Sequence, residues 1–276
     1  MNCSARPILQ YIFIMEILGY AAALLIGLSL GLIGAGGAIL TVPVLVYLFH
    51  VTPLMATSYS LVIVGMVSFL GFIGYLSAKE VAVKSGLLFG LSSVVTVFFI
   101  RHFVIPRIPA IILSRGSITI TFSNVTMLLF GLVMILAAVA MISKNNKRLQ
   151  SEAPDTRPAL LLLYGVFVGL ITALLGAGGG FLLIPALVIF ARLPMKTAVG
   201  TSLMIITLNS IFGVLADIGR VKLEMGLLIP IAMLAIAGLG MGLYLSRRIN
   251  SSCLKTAFGW FVLLMGIYVL ITELIN

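Results

Sequence analysis

Two glycine clusters are the residues of this sequence most able to bind a ligand. The segments Gly34-Ala35-Gly36-Gly37-Ala38 and Gly176-Ala177-Gly178-Gly179-Gly180 each interrupt a long apolar run. Adjacent glycines unwind a helix easily because they tolerate positive φ, and the break frees backbone N–H groups. A helix that starts after the break has a partially positive N-terminus, which favours anions. The candidate binding residues are Gly34, Gly36, Gly37, Gly176, Gly178, Gly179 and Gly180; a purely structural kink is the alternative.

The two clusters belong to a repeat in which Gly34 corresponds to Gly176. With that offset held and no gap, Ser60 matches Ser202, and later residues continue to match. The pattern indicates a tandem duplication. In membrane proteins, helix breaks at corresponding positions of two halves mark a transport site. If the two breaks meet near the midplane, they would form one cradle for a small anion.

Hydroxyl side chains open the third apolar segment of each half. They belong to Ala56-Thr57-Ser58-Tyr59-Ser60 and Ala198-Val199-Gly200-Thr201-Ser202. Thr57, Ser58, Ser60, Thr201 and Ser202 could donate hydrogen bonds to an anion, although helix capping explains such residues equally well. Asn209 lies about two turns further on. It is either an inter-helical hydrogen-bonding residue or part of the site lining.

Few ionisable residues interrupt the apolar runs: Glu16, Arg101, His102 and Asp217. Glu16 would be a candidate proton carrier if it faced the interior, with an interfacial position as the alternative. His50 and Arg192 match across the repeat, and they could attract anions or simply anchor segment ends.

The sequence shows no pattern typical of an enzyme. It contains two histidines and two cysteines, Cys3 and Cys253, without metal-ligand or redox spacing. We therefore expect no catalytic residues, no metal and no cofactor.

Composition predicts a helical membrane protein. Hydrophobic residues make up 62% of the chain and charged residues 9%, against roughly 25% charged residues in soluble domains. The mean hydropathy is +1.28, and runs such as Leu54–Ala78 are long enough to cross a bilayer. The runs are continuous rather than alternating, which excludes a barrel and predicts an all-α, polytopic fold.

The net charge of +10 does not predict nucleic-acid binding. Basic residues such as Lys147 and Arg248 fall between apolar runs, as in the cytoplasmic loops of inner-membrane proteins. The expected surroundings are the lipid bilayer of the inner or plasma membrane.

The chain divides into a first transmembrane repeat, 1–142, a cytoplasmic linker, 143–158, and a second repeat, 159–276. Each half has about five apolar segments, which gives 8–10 membrane segments; in the first half the last is Ser117–Ile142. The segments after the glycines, Ala38–Phe49 and Phe181–Ala191, reach only about 18 Å. They are either re-entrant half-helices or parts of broken spanning helices. An odd number of crossings per half makes the repeats inverted, which we favour over parallel ones.

At these motifs the chain resembles the TauE/SafE sulfite exporter family. The likeness rests on Gly34-Ala35-Gly36-Gly37…Pro43 and Gly176-Ala177-Gly178-Gly179-Gly180…Pro185 with the hydroxyl clusters, and it covers nearly the whole chain. One departure is Ala38, where the second copy has Gly180. The resemblance implies a secondary transporter of a small anion: a sulfur oxyanion, a sulfonate or a small organic acid. The alternatives are a passive anion channel of the same architecture and a non-transporting membrane assembly protein.

Overall fold

The protein is described by a computed structural model. It describes residues 5–109, 111–115, 118–142, 158–175, 180–189, 191, 193–221, 223–246 and 251–275. The α-helices in these ranges are α1 (Ala5–Ile33), α2 (Thr41–Pro43), α3 (Pro53–Ser77), α4 (Val83–Phe99), α5 (Phe122–Ile142), α6 (Pro158–Leu175), α7 (Gly180–Ile189), α8 (Met195–Asp217), α9 (Met225–Ser246) and α10 (Ser251–Ile275). Two 3₁₀-helices, Gly34–Leu40 and Ile105–Arg107, and two π-helical turns, Val44–Leu48 and Ile100–Val104, extend or connect them.

The predicted polytopic helical membrane fold is confirmed. Within the described ranges, four helices are long and apolar enough to cross a bilayer: Pro53–Ser77, Val83–Arg107, Lys196–Asp217 and Met225–Ser246. Their outer faces and those of their neighbours remain apolar; Leu91 and Val95 on α4, and Leu163 and Phe167 on α6, are all more than half exposed. Such faces are stable in lipid.

A short strand, paired with another just before it, replaces the start of one predicted helix. Strands β1 (Ile111–Arg115) and β2 (Ile118–Thr121) pair antiparallel, and α5 begins only at Phe122. The expected segment Ser117–Ile142 was therefore too long at its start. The reason lies in the succession of β-branched residues from Ile118 to Thr121, which favours a strand.

The first glycine cluster reverses the direction of the chain. Gly34 has a φ of +72°, a conformation that favours glycine. Beyond it, Gly34–Leu48 runs back along α1. The rings of Phe49, at its end, and Tyr20 of α1 lie 5.6 Å apart, which shows this path. A Cβ added to Gly19 would lie 2.5 Å from the ring of Phe49. The short segment of the first half is therefore the returning arm of a helical hairpin.

Small residues bring helices into close contact in a pattern that repeats between the halves. Gly27 of α1 packs against the backbone of Ala235 in α9, where an added Cβ would lie 1.7 Å from the carbonyl oxygen. Gly169 of α6 packs in the same way on Ser93 of α4, at 2.6 Å. Gly169 is the repeat equivalent of Gly27, and Ala235 is the equivalent of Ser93. Glycine permits this close approach of transmembrane helices.

Helices α3 and α8 cross at the centre of the molecule and run antiparallel. Gly71 packs on Leu203, and the repeat-related Gly213 packs on Leu61. Hydrogen bonds follow the same relation at the two ends of this pair. The Ala82 N–H donates to Thr201 Oγ1 at 2.9 Å. The equivalent Glu224 N–H donates to the Tyr59 hydroxyl at 3.2 Å.

Candidate functional site

Arg101 is a cation enclosed by the helix bundle. It lies in the π-turn Ile100–Val104 that continues α4, and its side chain is 1% exposed. Its Nε donates to Asp217 Oδ1 at 3.1 Å and to Oδ2 at 3.0 Å, and its Nη2 also pairs with Oδ2. Charged side chains inside a membrane bundle almost always have such partners, which makes Arg101 a candidate functional residue.

Asp217 stands between Arg101 and a pocket. It is the last residue of α8, and its side chain is 14% exposed. The pocket is small, about 20 Å³, and open at its mouth; it is lined by Ser58, Val62, Val214, Asp217, Ile218, Val221 and Leu223. Arg101 is not part of this lining. A molecule entering the pocket therefore meets the carboxylate of Asp217 before the guanidinium behind it.

Two of the predicted hydroxyl residues reach this ion pair. Ser58 Oγ donates to Asp217 Oδ2 at 2.6 Å and accepts from Arg101 Nη2 at 2.8 Å. Thr57 Oγ1 lies 3.4 Å from the same nitrogen and donates to the Leu54 carbonyl at 2.7 Å. The start of α3 thus places a hydroxyl donor beside the guanidinium of Arg101.

Arg101 also reaches the helix that leads into the second glycine cluster. Its Nη1 donates to the carbonyl of Ala173 at 3.1 Å. Ala173 lies in the last turn of α6, where carbonyls lack partners within the helix and the helix dipole is negative. The guanidinium therefore ties the ends of α6 and α8 to the start of α3.

The equivalent place in the other half carries no charge. The residues that match Ser58, Arg101, Ala173 and Asp217 across the offset are Gly200, Leu243, Gly31 and Tyr75. There, the Tyr75 hydroxyl donates to the Gly31 carbonyl at 3.5 Å. The backbone contact is kept, but a neutral phenol replaces the ion pair.

Among the described residues, several buried polar atoms lack a hydrogen-bond partner, most of them on α3 and α8. They are the hydroxyls of Thr41, Ser60, Ser68 and Ser210 and the Oδ1 atom of Asn209. All five residues are at most 1% exposed. The Asn209 Nδ2 donates to Ser93 Oγ at 2.8 Å, so only its oxygen is free. An unpaired buried polar atom is costly, and such atoms are the ones a bound ligand or water satisfies.

The first glycine cluster lies at the other end of α8. A Cβ on Gly34 would lie 2.6 Å from Val199 Cγ1, near the start of that helix, whereas Ala173 lies near its end. The two ends are about 27 Å apart along the helix. Gly36 and Gly37 belong to the 3₁₀-helix Gly34–Leu40, and Gly180 begins α7. Gly176, Gly178 and Gly179 lie outside the described residues, so the single cradle stays a prediction.

The remaining predicted residues have other partners or positions. Thr201 accepts from the Ala82 N–H, and Ser202 Oγ donates to the Val199 carbonyl at 2.7 Å. His50 is exposed, with a φ of +53°. Glu16 lies within α1, but its side chain is outside the description, as is the whole of Arg192.

Arg101 and Asp217 are visible in the sequence as ionisable residues in apolar runs, but their pairing is not. They are 116 residues apart, the same separation as between Ser93 and Asn209. That constant separation shows that α4 and α8 run parallel and in register over two turns. The sequence did contain a signal for this pairing. A polar residue lies eight positions before each charged one, Ser93 before Arg101 and Asn209 before Asp217.

Comparison with known proteins gives a consistent result. A family model described as "Sulfite exporter TauE/SafE" matches residues 19–269. A "Probable membrane transporter protein" from Xylella fastidiosa (strain Temecula1) is 27% identical over 255 residues, covering 89% of this chain and 91% of that protein. The "Probable membrane transporter protein YunE" of Bacillus subtilis is 30% identical over 203 residues, covering 66% of this chain and 70% of its own. No solved structure matches the chain significantly.

Proposed function

Because the chain belongs to the sulfite exporter TauE/SafE family, we propose that it is a secondary transporter of a small anion. It is a multi-pass membrane transporter of the cell membrane. Its substrate in our proposal is a sulfur oxyanion, a sulfonate or a small organic acid. Its mechanism is alternating access.

The observation that carries this proposal is the buried guanidinium of Arg101 beside the hydroxyl of Ser58. A planar guanidinium presents parallel N–H donors that match two oxygens of an oxyanion. In a low-dielectric interior, such preorganised donors attract an anion far more strongly than in water. The unpaired hydroxyls of Ser60, Ser68 and Ser210 support a continuing polar path across the bundle.

We infer that 1–142 and 159–276 are inverted repeats. The antiparallel packing of the repeat-related helices α3 and α8 supports this arrangement, since Gly71 meets Leu203 where Gly213 meets Leu61. In inverted repeats, rocking of one half against the other exposes a central site to each side in turn.

The glycine clusters remain part of the proposal as backbone donors. The change Gly37→Leu combined with Gly179→Leu would remove the flexibility of both breaks. We expect this double variant to insert in the membrane and to lose anion flux. Flux at the wild-type level would show that the clusters play no part in binding.

Counterflow in proteoliposomes tests the proposed function. Vesicles loaded with unlabelled sulfate, thiosulfate, methanesulfonate or acetate are diluted into a trace of the same labelled anion. A transporter accumulates label transiently above equilibrium, because loaded carriers exchange. With the membrane potential held at zero by valinomycin and equal K⁺ on both sides, a passive channel gives no such overshoot, and an assembly protein gives no uptake above empty vesicles. Either result would contradict the proposal.

A further inference from the structure

We propose that Asp217 occupies the place of the transported anion at Arg101 and leaves it as the neutral acid, so that one proton accompanies each anion into the site. This inference rests on the proposed function and adds its coupling ion. It assigns Arg101 and Ser58 as anion ligands and Asp217 as their internal competitor.

The donors around Asp217 match those that an oxyanion needs. Arg101 Nε and Nη2, together with Ser58 Oγ, hold the two carboxylate oxygens of Asp217. A sulfonate or sulfur oxyanion offers a similar pair of oxygens on one central atom. The same three donors therefore fit the substrate once the carboxylate has moved away.

Asp217 blocks the approach from the pocket to the guanidinium of Arg101. Asp217 lines the pocket, whereas Arg101 lies behind it with 1% of its side chain exposed. An anion in the pocket cannot reach the guanidinium without displacing the carboxylate. Because Asp217 ends α8 and Gly219, at φ +82°, follows closely, the chain can turn the carboxylate aside there.

Charge balance in the site calls for a proton. The guanidinium of Arg101 supplies a fixed positive charge, because arginine side chains are not deprotonated in proteins. If Asp217 stayed ionised when an anion arrived, two negative groups would face one cation in a poorly solvated site. A proton taken up from the bulk solution by the Asp217 carboxylate removes this repulsion. For a monovalent anion such as a sulfonate, the net charge is then the same before and after exchange, and for a divalent anion it becomes more negative by one charge rather than two; no bond within the anion changes.

Other polar and ionisable groups surround this point. From α3, Thr57 and Ser58 present hydroxyls, and from α6, Ala173 presents a carbonyl. Beyond α8, the exposed Arg220 donates from Nη1 to the carbonyls of Arg101 and His102, at 3.3 and 2.9 Å.

Two further groups that could titrate or carry charge need controls. The ring of His102 stacks on Phe98, with centroids 5.4 Å apart, and histidine is the side chain type whose charge most readily changes near neutral pH. The exposed Glu224 follows Leu223 of the pocket lining. Both positions are therefore included in the test.

The experiment measures proton uptake on anion binding. Purified protein in weakly buffered detergent solution at about pH 8 is titrated with sulfate, thiosulfate or methanesulfonate, which keep their charge in this range. A pH indicator then reports protons taken up. We expect one proton per bound anion in the wild-type protein. This readout needs no variant and does not depend on a variant folding.

Variants locate the proton. Asp217→Asn should bind the anion without proton uptake, and at about pH 8 its affinity should be about tenfold higher or more, because the competitor is neutral. Glu80→Gln is a matched control, since Glu80 pairs with Lys196 at the opposite end of α8 at 3.9 Å. It should behave like the wild-type protein, as should His102→Gln and Glu224→Gln.

The outcomes separate this inference from the proposed function. If the wild-type protein neither binds nor moves any of the three anions, both are overturned. If it moves an anion without proton uptake, the inference alone is overturned. The same holds if the Asp217→Asn protein is folded but keeps the wild-type pH dependence, or if it no longer binds the anion.

Discussion

Tyr75 and Asp217 occupy equivalent positions in the two halves, yet only Asp217 carries a charge. Tyr75 satisfies a carbonyl of α1 directly. Asp217 instead holds Arg101, which satisfies the matching carbonyl of α6. Both halves thus have a side chain that donates to the equivalent backbone carbonyl. Only in one of them does an ion pair make this contact.

Replacing Arg101 should separate stability from anion binding. Arg101→Gln leaves the carboxylate of Asp217 without its cation, and we expect a loss of about 3–5 kcal/mol in the free energy of unfolding. Adding Asp217→Asn should restore most of that loss, since no unpaired charge remains. Neither protein should bind the anion. Thermal unfolding in detergent and vesicle uptake measure the two effects.

Arg101→Lys is the conservative control for that experiment. It keeps the charge but loses the parallel donors, so stability should fall less than in Arg101→Gln while anion affinity falls clearly. Anion uptake at the wild-type level by the Arg101→Gln protein would show that Arg101 does not bind the anion.

Gly34 should tolerate no side chain. Gly34→Ala combines a positive φ with a contact of 2.6 Å to Val199 Cγ1. We expect a loss of about 1–3 kcal/mol in the free energy of unfolding. Adding Val199→Ala should recover part of this loss, because it relieves the contact but not the backbone strain. Gly240→Ala, where an added Cβ meets nothing within 4 Å, is the neutral control. Equal melting temperatures for the Gly34 and Gly240 variants would contradict the hairpin geometry.

The unpaired hydroxyls of Ser68 and Ser210 should serve the ligand rather than the fold. The double change to alanine removes two costly buried groups and should raise the free energy of unfolding without ligand by about 1 kcal/mol. The rise in melting temperature on adding the anion should shrink. Ser29→Ala is the matched control, since that hydroxyl already donates to the Ile26 carbonyl at 2.8 Å. An unchanged ligand effect in the double variant would exclude both serines from the path.

Antiparallel α3 and α8 predict the sidedness of four exposed positions. Single cysteines at His50 and Arg220 should react with an impermeant thiol reagent from one side of the membrane, and cysteines at Lys79 and Lys196 from the other. His50 precedes α3 and Arg220 follows α8, so both lie at the same end of the pair. The background lacks the two native cysteines. Labelling of the His50 and Lys196 positions, which lie at the starts of the repeat-related helices α3 and α8, from the same side would exclude inverted repeats.

The sequence was sufficient for the helical class and for the duplication, because both depend on composition and on residue identity at a fixed offset. The strand Ile118–Thr121 was missed, since its residues also extend an apolar run. The pairing of Arg101 with Asp217 was beyond reach for a different reason. It depends on the register between α4 and α8, which are far apart in sequence. The hydrogen bond between Ser93 and Asn209 fixes that register. The binding role of the predicted hydroxyls stays a prediction. The hydrogen bond from Ser202 Oγ to a carbonyl of its own helix could not be foreseen, because it depends on the local side-chain conformation.

The charge on one half alone has a consequence for the resting state of the molecule. A perfectly symmetric inverted repeat would have inward-open and outward-open forms of equal free energy, populated one to one. In the proposed cycle, an ion pair without a counterpart removes that degeneracy, and each difference of about 1.4 kcal/mol changes the ratio tenfold. Arg101 and Asp217 would therefore contribute to the choice of the side of the membrane that the empty transporter faces.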